Sequence, residues 1–329
     1  MSPAGLCGLL LCALLALSFA ALFIGYVPMS ISDVGVALLS SGDTADAIIV
    51  REIRLPRVLL AWCVGGSLGV AGAALQGLLR NPLAEPGLLG ISSSASLGAV
   101  IAVYFGLTTF SDWLLPVSAM LGAALATAVL YALARRSPSN LTLILAGIAL
   151  SSLAAALTSL ALNLSPNPYD VNDIVLWLLG SLSERSFNDL GIALPFIAAG
   201  MALLLGCARP LATLTLGEET AESLGVDLAR LRGLIIVGTA LCVGASVAVA
   251  GAIGFVGLVV PHMLRPLVGY RADQLLLPSA IGGALLLLLA DTALRLLNGS
   301  QELMLGVMTS LIGAPFFLWL VVRSRHYRT

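Results

Sequence analysis

The chain has no lysine, and this absence removes one class of function at once. All 16 basic residues in the 329-residue sequence are arginine. A phosphate-binding loop of the GxxxxGK[ST] type needs a lysine to reach the nucleotide phosphates. The chain therefore cannot hydrolyse ATP through such a loop, so an ATP-driven process would need a separate ATPase.

Charge of either sign is also scarce. Charged residues make up 10% of the sequence, against roughly a quarter in an average soluble domain. Hydrophobic residues make up 59%, so most of the surface must face lipid. The formal net charge of −1 gives no general attraction to nucleic acid. This composition excludes a soluble domain, and we expect membrane lipids, not nucleic acid, around the chain.

Motifs for metal binding and redox chemistry are missing. The two histidines are not clustered, and no CxxC spacing occurs. The cysteines all lie within or at the end of apolar runs, where a free thiol packs as a small hydrophobic group. They are Cys7, Cys12, Cys63, Cys207 and Cys242. We expect no metal site and no cofactor in this chain.

Ten apolar runs are present instead. A helix needs about 20 apolar residues to cross the hydrocarbon core of a bilayer. The runs cover residues 4–25, 57–79, 88–108, 113–134, 141–162, 190–208, 232–252, 254–269, 275–294 and 303–322. The first run lacks the basic start of a signal peptide, so we expect it to be retained. The sequence predicts an all-α polytopic membrane protein of about ten transmembrane helices, with residues 1–329 as one domain.

The arginines predict the orientation, because positive residues accumulate on the cytoplasmic side. With both termini cytoplasmic, eleven of the 16 arginines lie inside. The inside set is Arg80, Arg135, Arg136, Arg209, Arg230, Arg232, Arg265, Arg271, Arg323, Arg325 and Arg328. The outside set is Arg51, Arg54, Arg57, Arg185 and Arg295. The bias favours two cytoplasmic termini.

Small residues fill the predicted spans. The chain has 34 glycines, and small residues let transmembrane helices approach closely. The string Val-Ala-Gly-Ala occurs at residues 70–73 and again at 249–252, in spans predicted to run in opposite directions. An inverted repeat would leave such a trace, although four small residues also recur by chance. An inverted-repeat helix bundle is the prediction.

Ionisable groups inside the spans are few, which disfavours an ion-coupled carrier. Asp291 and Arg295 fall near the outer end of the ninth span, and His262 falls near the inner end of the eighth. We expect water to reach all three. A membrane enzyme is equally disfavoured, because the sequence has no paired intramembrane carboxylates, no HExxH and no Ser/His/Asp grouping.

The longest predicted cytoplasmic stretch covers residues 209–232. Thr215 and Glu218 have capping-box spacing, so a short helix should begin there. Gly225 suits the C-terminal cap of that helix, and Asp227 suits the N-cap of the next. Two short, partly charged helices joined at this glycine could bind in a groove of a cytoplasmic ATPase. An ordinary polar connector is the alternative.

Three longer motifs point to a known family. They are Ile-Arg-Leu-Pro-Arg at 53–57, Leu-Gln-Gly-Leu-Leu-Arg-Asn-Pro-Leu-Ala-Glu-Pro-Gly-Leu-Leu-Gly at 75–90, and Ala-Ile-Gly-Phe-Val-Gly-Leu-Val-Val-Pro-His at 252–262. In order and spacing, over nearly the whole chain, the sequence resembles the iron-complex transport permeases. These are the permease subunits of bacterial importers for ferric siderophores, haem and cobalamin.

The resemblance implies a non-catalytic permease of the bacterial inner membrane. It implies a homodimer with a pore on its axis, two cytoplasmic subunits that bind ATP and Mg, and a periplasmic binding protein. An iron complex would be the cargo, with ferric siderophore as first choice and haem or cobalamin as alternatives. An ion-coupled secondary transporter remains the less favoured reading.

The resemblance also assigns roles to individual residues. ATPase coupling falls on Arg209, Leu216, Gly217, Glu218, Glu219, Ala221, Leu224 and Gly225. Docking of the binding protein falls on Arg54, Arg57 and Arg295, with lipid-headgroup anchoring as the alternative. The gate or inner pore falls on Asn81, Pro82, Ser139, Asn140 and Leu141. Asn140 and Leu141 depart from the pair of small hydroxyl residues expected at that gate.

Overall fold

The computed structural model of the chain describes residues 2–25, 27, 29–39, 44–111, 113–136, 139–297 and 303–325. Every regular element in these ranges is helical, which confirms the all-α prediction. The α-helices are α1 Pro3–Phe23, α2 Ile31–Leu39, α3 Ala45–Ile48, α4 Leu55–Leu78, α5 Ile91–Tyr104, α6 Leu114–Arg136, α7 Asn140–Leu164, α8 Pro168–Leu178, α9 Phe187–Gly206, α10 Ala208–Leu214, α11 Glu218–Ser223, α12 Leu228–Ala250, α13 Val256–Leu264, α14 Ala272–Leu297 and α15 Leu305–Arg325.

The ten predicted spans each coincide with a helix. Within the described ranges, seven helices are long and apolar enough to cross a membrane. Three shorter apolar helices, α5, α13 and α15, bring the number to ten. The 24 residues of α4 extend about 36 Å at the α-helical rise. The prediction of about ten membrane helices is confirmed.

Three helices form the centre of the bundle. We compare the share of residues that are buried in the most apolar stretch of each helix. This share is 83% for the span that ends in α4, 83% for α12 and 72% for α14. The same measure is only 17–28% for α1, α6, α7 and α9. Since lipid is as apolar as leucine, the central helices are held by close packing of their backbones and not by exclusion of water.

Glycines along α4 make this close packing possible. A Cβ atom added at Gly69 would lie 2.0 Å from the carbonyl oxygen of Ser279 on α14. One added at Gly72 would lie 1.8 Å from the carbonyl oxygen of Gly257 on α13. Any side chain larger than hydrogen would therefore push α4 away from its neighbours.

The chain unwinds between α12 and α13. Gly251 has φ +70° and Phe255 has φ +66°, and the residues between them are not helical. The eighth predicted span, residues 254–269, forms the short helix α13, which continues through Pro261 and ends at Leu264. The break thus precedes the proline.

The recurring Val-Ala-Gly-Ala string has two different structures. Residues 70–73 lie inside α4, whereas residues 249–252 cover the end of α12 and the start of the unwound segment. The two strings are therefore not structurally equivalent, and the inverted repeat stays a prediction.

We predict that Gly69→Ala destabilises the bundle by about 1–3 kcal/mol, because the added methyl group overpacks the α4–α14 contact. Gly191→Ala on α9 is the matched control, since nothing lies within 4 Å of a Cβ at that position. Thermal unfolding of the purified protein in detergent measures both. Equal melting temperatures for the two variants would contradict the close-packing account.

Candidate coupling site and arginine cluster

Two short helices, α10 and α11, precede α12 and form the segment expected to couple to an ATPase. Gly225 ends α11 with φ +86°. The Val226 N–H donates to the Ala221 carbonyl at 3.0 Å, and the Gly225 N–H donates to the Glu222 carbonyl at 2.9 Å. This is a Schellman motif, which needs a left-handed residue where only glycine is free of strain. The C-terminal cap predicted at Gly225 is confirmed.

The N-terminal cap of α11 was predicted wrongly. Thr215 belongs to the end of α10, where its hydroxyl donates to the Ala212 carbonyl at 2.6 Å. The helix begins at Glu218 after Gly217, whose φ of +108° turns the chain between them. Asp227 does cap α12, because its Oδ1 accepts from the Arg230 N–H at 2.9 Å.

The carboxylate of Glu218 joins three parts of the chain. Its Oε2 lies 3.1 Å from Nη2 of Arg232 in α12, and its Oε1 lies 3.6 Å from Nη2 of Arg80. Arg80 follows α4 and adopts φ +48°, with the next residue, Asn81, donating its N–H to the Gln76 carbonyl at 3.2 Å. Glu218 therefore links α11 to the end of the central helix α4 and to the start of α12.

A cleft of about 600 Å³ opens beside this link. It is lined by Arg80, Ser139, Asn140 and residues 216–220. Two of the predicted gate residues, Ser139 and Asn140, thus lie together with the predicted coupling residues. Asn140 Oδ1 is buried and has no hydrogen-bond partner among the described residues.

The remaining predicted gate residues lie outside that cleft lining. Leu141 is 63% exposed. Asn81 and Pro82 are exposed next to Arg80, and Asn81 Oδ1 accepts from the Leu83 N–H at 2.9 Å. The amide thus stabilises the turn after α4.

The outer surface of the coupling segment combines apolar and acidic side chains. Leu216 and Leu224 are each 63% exposed, and Glu219 between them is also exposed. Ala221 is fully buried and anchors α11 on the bundle. Arg209 is exposed in the first turn of α10.

The three arginines predicted to dock a binding protein cluster at the opposite end of α4, around Asp291. Arg57 Nη2 lies 2.8 Å from Asp291 Oδ1, and Arg295 Nε lies 3.0 Å from Asp291 Oδ2. Arg54 donates to the Leu22 carbonyl at 2.6 Å, and Arg295 donates to the Ala21 carbonyl at 3.1 Å, both at the end of α1. The docking role of these arginines stays a prediction.

Burial distinguishes the members of this cluster. Asp291 is 0% exposed, so the expectation that water reaches it was wrong. The side chains of Arg295 and Arg57 are 6% and 14% exposed, and Arg54 is 5% exposed. The guanidinium groups of Arg54 and Arg295 are thus hydrogen-bonded inside the subunit.

A second set of buried polar contacts joins the end of α4 and the loop after it to α13 and the residues on either side of α13. Arg265 Nη2 donates to Gln76 Oε1 at 2.6 Å, and Gln76 Nε2 donates to the Leu258 carbonyl at 3.3 Å. Glu85 Oε1 accepts from the Phe255 N–H at 2.5 Å. Gln76 thus fastens the end of α4 to α13 and to the residue after it. Glu85 fastens the loop after α4 to the unwound segment between α12 and α13.

Composition could not reveal this second set. Gln76 and Glu85 both belong to the motif at 75–90, but the sequence does not show that the loop folds back onto the unwound segment. The nine-residue spacing of an amide and a carboxylate within an otherwise apolar motif was the available signal.

The comparisons with known proteins agree with this architecture. The FecCD transport family matches residues 13–323. The chain belongs to the FecCD transport family. The vitamin B12 import permease BtuC of Salmonella paratyphi A is 41% identical over 291 residues, which cover 87% of this chain and 88% of the relative. BtuC of Salmonella typhi is 40% identical over the same length.

Solved structures resemble the chain as well. An inward-facing metal-chelate type ABC transporter matches with a TM-score of 0.87 and 34% identity over 98% of this chain and 99% of its own. PsaBC of Streptococcus pneumoniae, solved with a Fab, matches with a TM-score of 0.57 and 20% identity over 80% of this chain and 88% of its own, which concerns the fold alone.

Membership of the FecCD family establishes the general role of the chain. It is a multi-pass permease subunit of an ATP-binding cassette importer. It is not itself an enzyme, because ATP hydrolysis belongs to the partner ATPase. The absence of a lysine-containing phosphate loop is in keeping with that division of labour.

We predict that Asp291→Asn destabilises the protein by about 3–5 kcal/mol, because Arg57 and Arg295 would lose their buried counter-ion. Asp273→Asn is a matched control on the same helix, since Asp273 pairs with Arg271, whose side chain is 62% exposed. The control should cost less than about 1 kcal/mol. Chemical unfolding in detergent measures both, and similar losses would refute the role of the buried cluster.

Proposed function

We propose that the chain forms half of the pore of a metal-chelate importer. Two copies would enclose the pore, two ATPase subunits would bind the α10–α11 face, and a periplasmic binding protein would deliver the cargo. The observation that carries this proposal is the single cleft beside Glu218, which the coupling residues share with Ser139 and Asn140. Movement of α11 would reach the gate residues directly.

The coupling face fits a protein groove. Leu216 and Leu224 supply apolar contact area, and Glu219 supplies a charge that can pair at the rim. This face lies at one end of α4, and the Asp291 cluster lies at the other. Assigning the coupling face to the cytoplasm puts the arginine cluster in the periplasm and, with an even number of spans, both termini in the cytoplasm.

The arginine cluster suits a partner that carries carboxylates. Arg57 and Arg295 share one buried counter-ion, Asp291. Arg54 donates to backbone carbonyls instead, so this end of the bundle has an excess of positive charge. Arginine pairs bidentately with carboxylates. Arg57 is the most accessible of the three, so a docking carboxylate would meet it first.

A ferric siderophore is our first choice of cargo, and cobalamin is the second candidate. The curated relatives named as vitamin B12 import permeases are 40–41% identical, and the matching solved transporter is described as a metal-chelate type. Haem is the third candidate, because the relatives and the solved transporter named here are not described as haem importers.

The coupling face is tested by Leu216→Glu combined with Leu224→Glu. Burying two leucines at an interface contributes enough that the double variant should bind the cognate ATPase roughly 100-fold more weakly or worse. Tyr270→Asn is the control, because Tyr270 is 68% exposed in another loop and has φ +63°, which asparagine tolerates. Unchanged ATPase binding by the double variant would overturn the assignment.

Cargo is tested by uptake into proteoliposomes that contain the permease with its cognate ATPase and binding protein. A ferric siderophore, cobalamin and haem are offered separately, with and without ATP. We expect ATP-dependent uptake of one metal chelate. Uptake that continues without ATP and collapses with an ionophore would indicate an ion-coupled carrier and refute the proposal.

A further inference from the structure

An apolar groove runs along the outside of the bundle between α6, α9 and α12. Its volume is about 620 Å³. Small residues of α6, Ala124 and Ala128, form its floor together with Ala245 of α12, and Phe196 of α9 forms one wall. Ala124 and Ala128 are exposed, so the groove opens to the surroundings of the protein.

The surroundings of this groove are hydrocarbon. Only 28% of the apolar stretch of α6 and 22% of that of α9 is buried within the subunit. Leucines beside the groove are exposed, with Leu121 at 59% and Leu125 at 69%. An alkyl chain suits a cleft lined in this way better than water does, because water would find few polar partners there.

One end of the groove carries two arginines. Tyr131 lines the groove, and the guanidinium of Arg135 lies 5.9 Å from the centre of its ring. The Tyr131 ring also packs over Gly233 at the start of α12, where a Cβ would lie 2.8 Å from Cε2. Arg135 and Arg136 are exposed in the last turn of α6, and neither forms an ion pair with any of the described residues.

These two features fit the two halves of one ligand. We propose that the groove binds an anionic phospholipid, with one acyl chain along α6 and α12 and the phosphate on Arg135 and Arg136. Chain packing alone gives no preference among lipids, since the bilayer offers the same contacts. The arginine pair supplies the preference, because basic residues at a membrane surface attract anionic headgroups.

The bound lipid would contact the helix that carries the coupling segment. Leu241 and Ala245 of α12 line the groove, and Arg232 in the first turn of the same helix pairs with Glu218. The site is therefore separate from the coupling face but lies on the helix that holds it.

Native mass spectrometry of the full-length chain in mild detergent tests the site. Dioleoyl phosphatidylglycerol and dioleoyl phosphatidylcholine are titrated separately, and the affinity of the first bound lipid is measured. Arg135→Gln with Arg136→Gln should weaken phosphatidylglycerol binding roughly 30-fold, from about a 5-fold factor per arginine, and should weaken binding of the zwitterionic phosphatidylcholine much less. Ala128→Phe should weaken both lipids by filling the groove.

Two matched variants serve as controls. Val129→Phe places the same ring on the neighbouring exposed position of α6, outside the groove lining, and Arg271→Gln removes an exposed arginine elsewhere. Both should bind like the wild type. Retained phosphatidylglycerol preference in the double arginine variant would overturn the proposal. So would an Ala128→Phe protein that binds lipid normally but loses a subunit partner, since the groove would then be an interface between copies.

Discussion

Backbone contact around α4 is the constraint on which the rest of the structure depends. In a bilayer, helices gain nothing from leaving lipid for each other unless they pack more closely than lipid chains do. Glycine at positions 65, 69 and 72 lets α4 touch the carbonyls of α14 and α13. Because α4 is fixed in this way, the positions of its two ends are fixed as well. Near one end Arg57 pairs with Asp291, and after the other end Arg80 pairs with Glu218.

Polar groups inside the bundle follow the same logic. An unpaired polar group in hydrocarbon costs several kcal/mol, and several buried polar side chains of the bundle join one helix to another. Asp291 holds arginines from α4 and α14, and Gln76 holds α13 through Arg265. Glu85 secures the unwound backbone at Phe255. Different polar contacts thus hold the bundle together at the two ends of α4 and at the unwound segment between α12 and α13.

The number and approximate position of the membrane helices could be predicted because apolar length is a local property. Gly225 and Asp227 were predictable for the same reason, since a cap depends on residues three or four apart. The prediction of an N-cap at Thr215 was wrong because Gly217 turns the chain before α11, and the capping-box spacing gives no sign of that turn. The burial of Asp291 also escaped prediction, because it depends on Arg57, 234 residues away in sequence.

The small number of buried residues in α11 bears on which ATPase a permease of this kind accepts. Left-handed glycines bracket it at Gly217 and Gly225, and Ala221 is its only buried residue within the described helix. The exposed positions of the helix are Glu219, Thr220, Glu222 and Ser223. If α11 contacts the ATPase as proposed, substitutions at these exposed positions would change which ATPase the permease accepts while its transmembrane architecture stays the same.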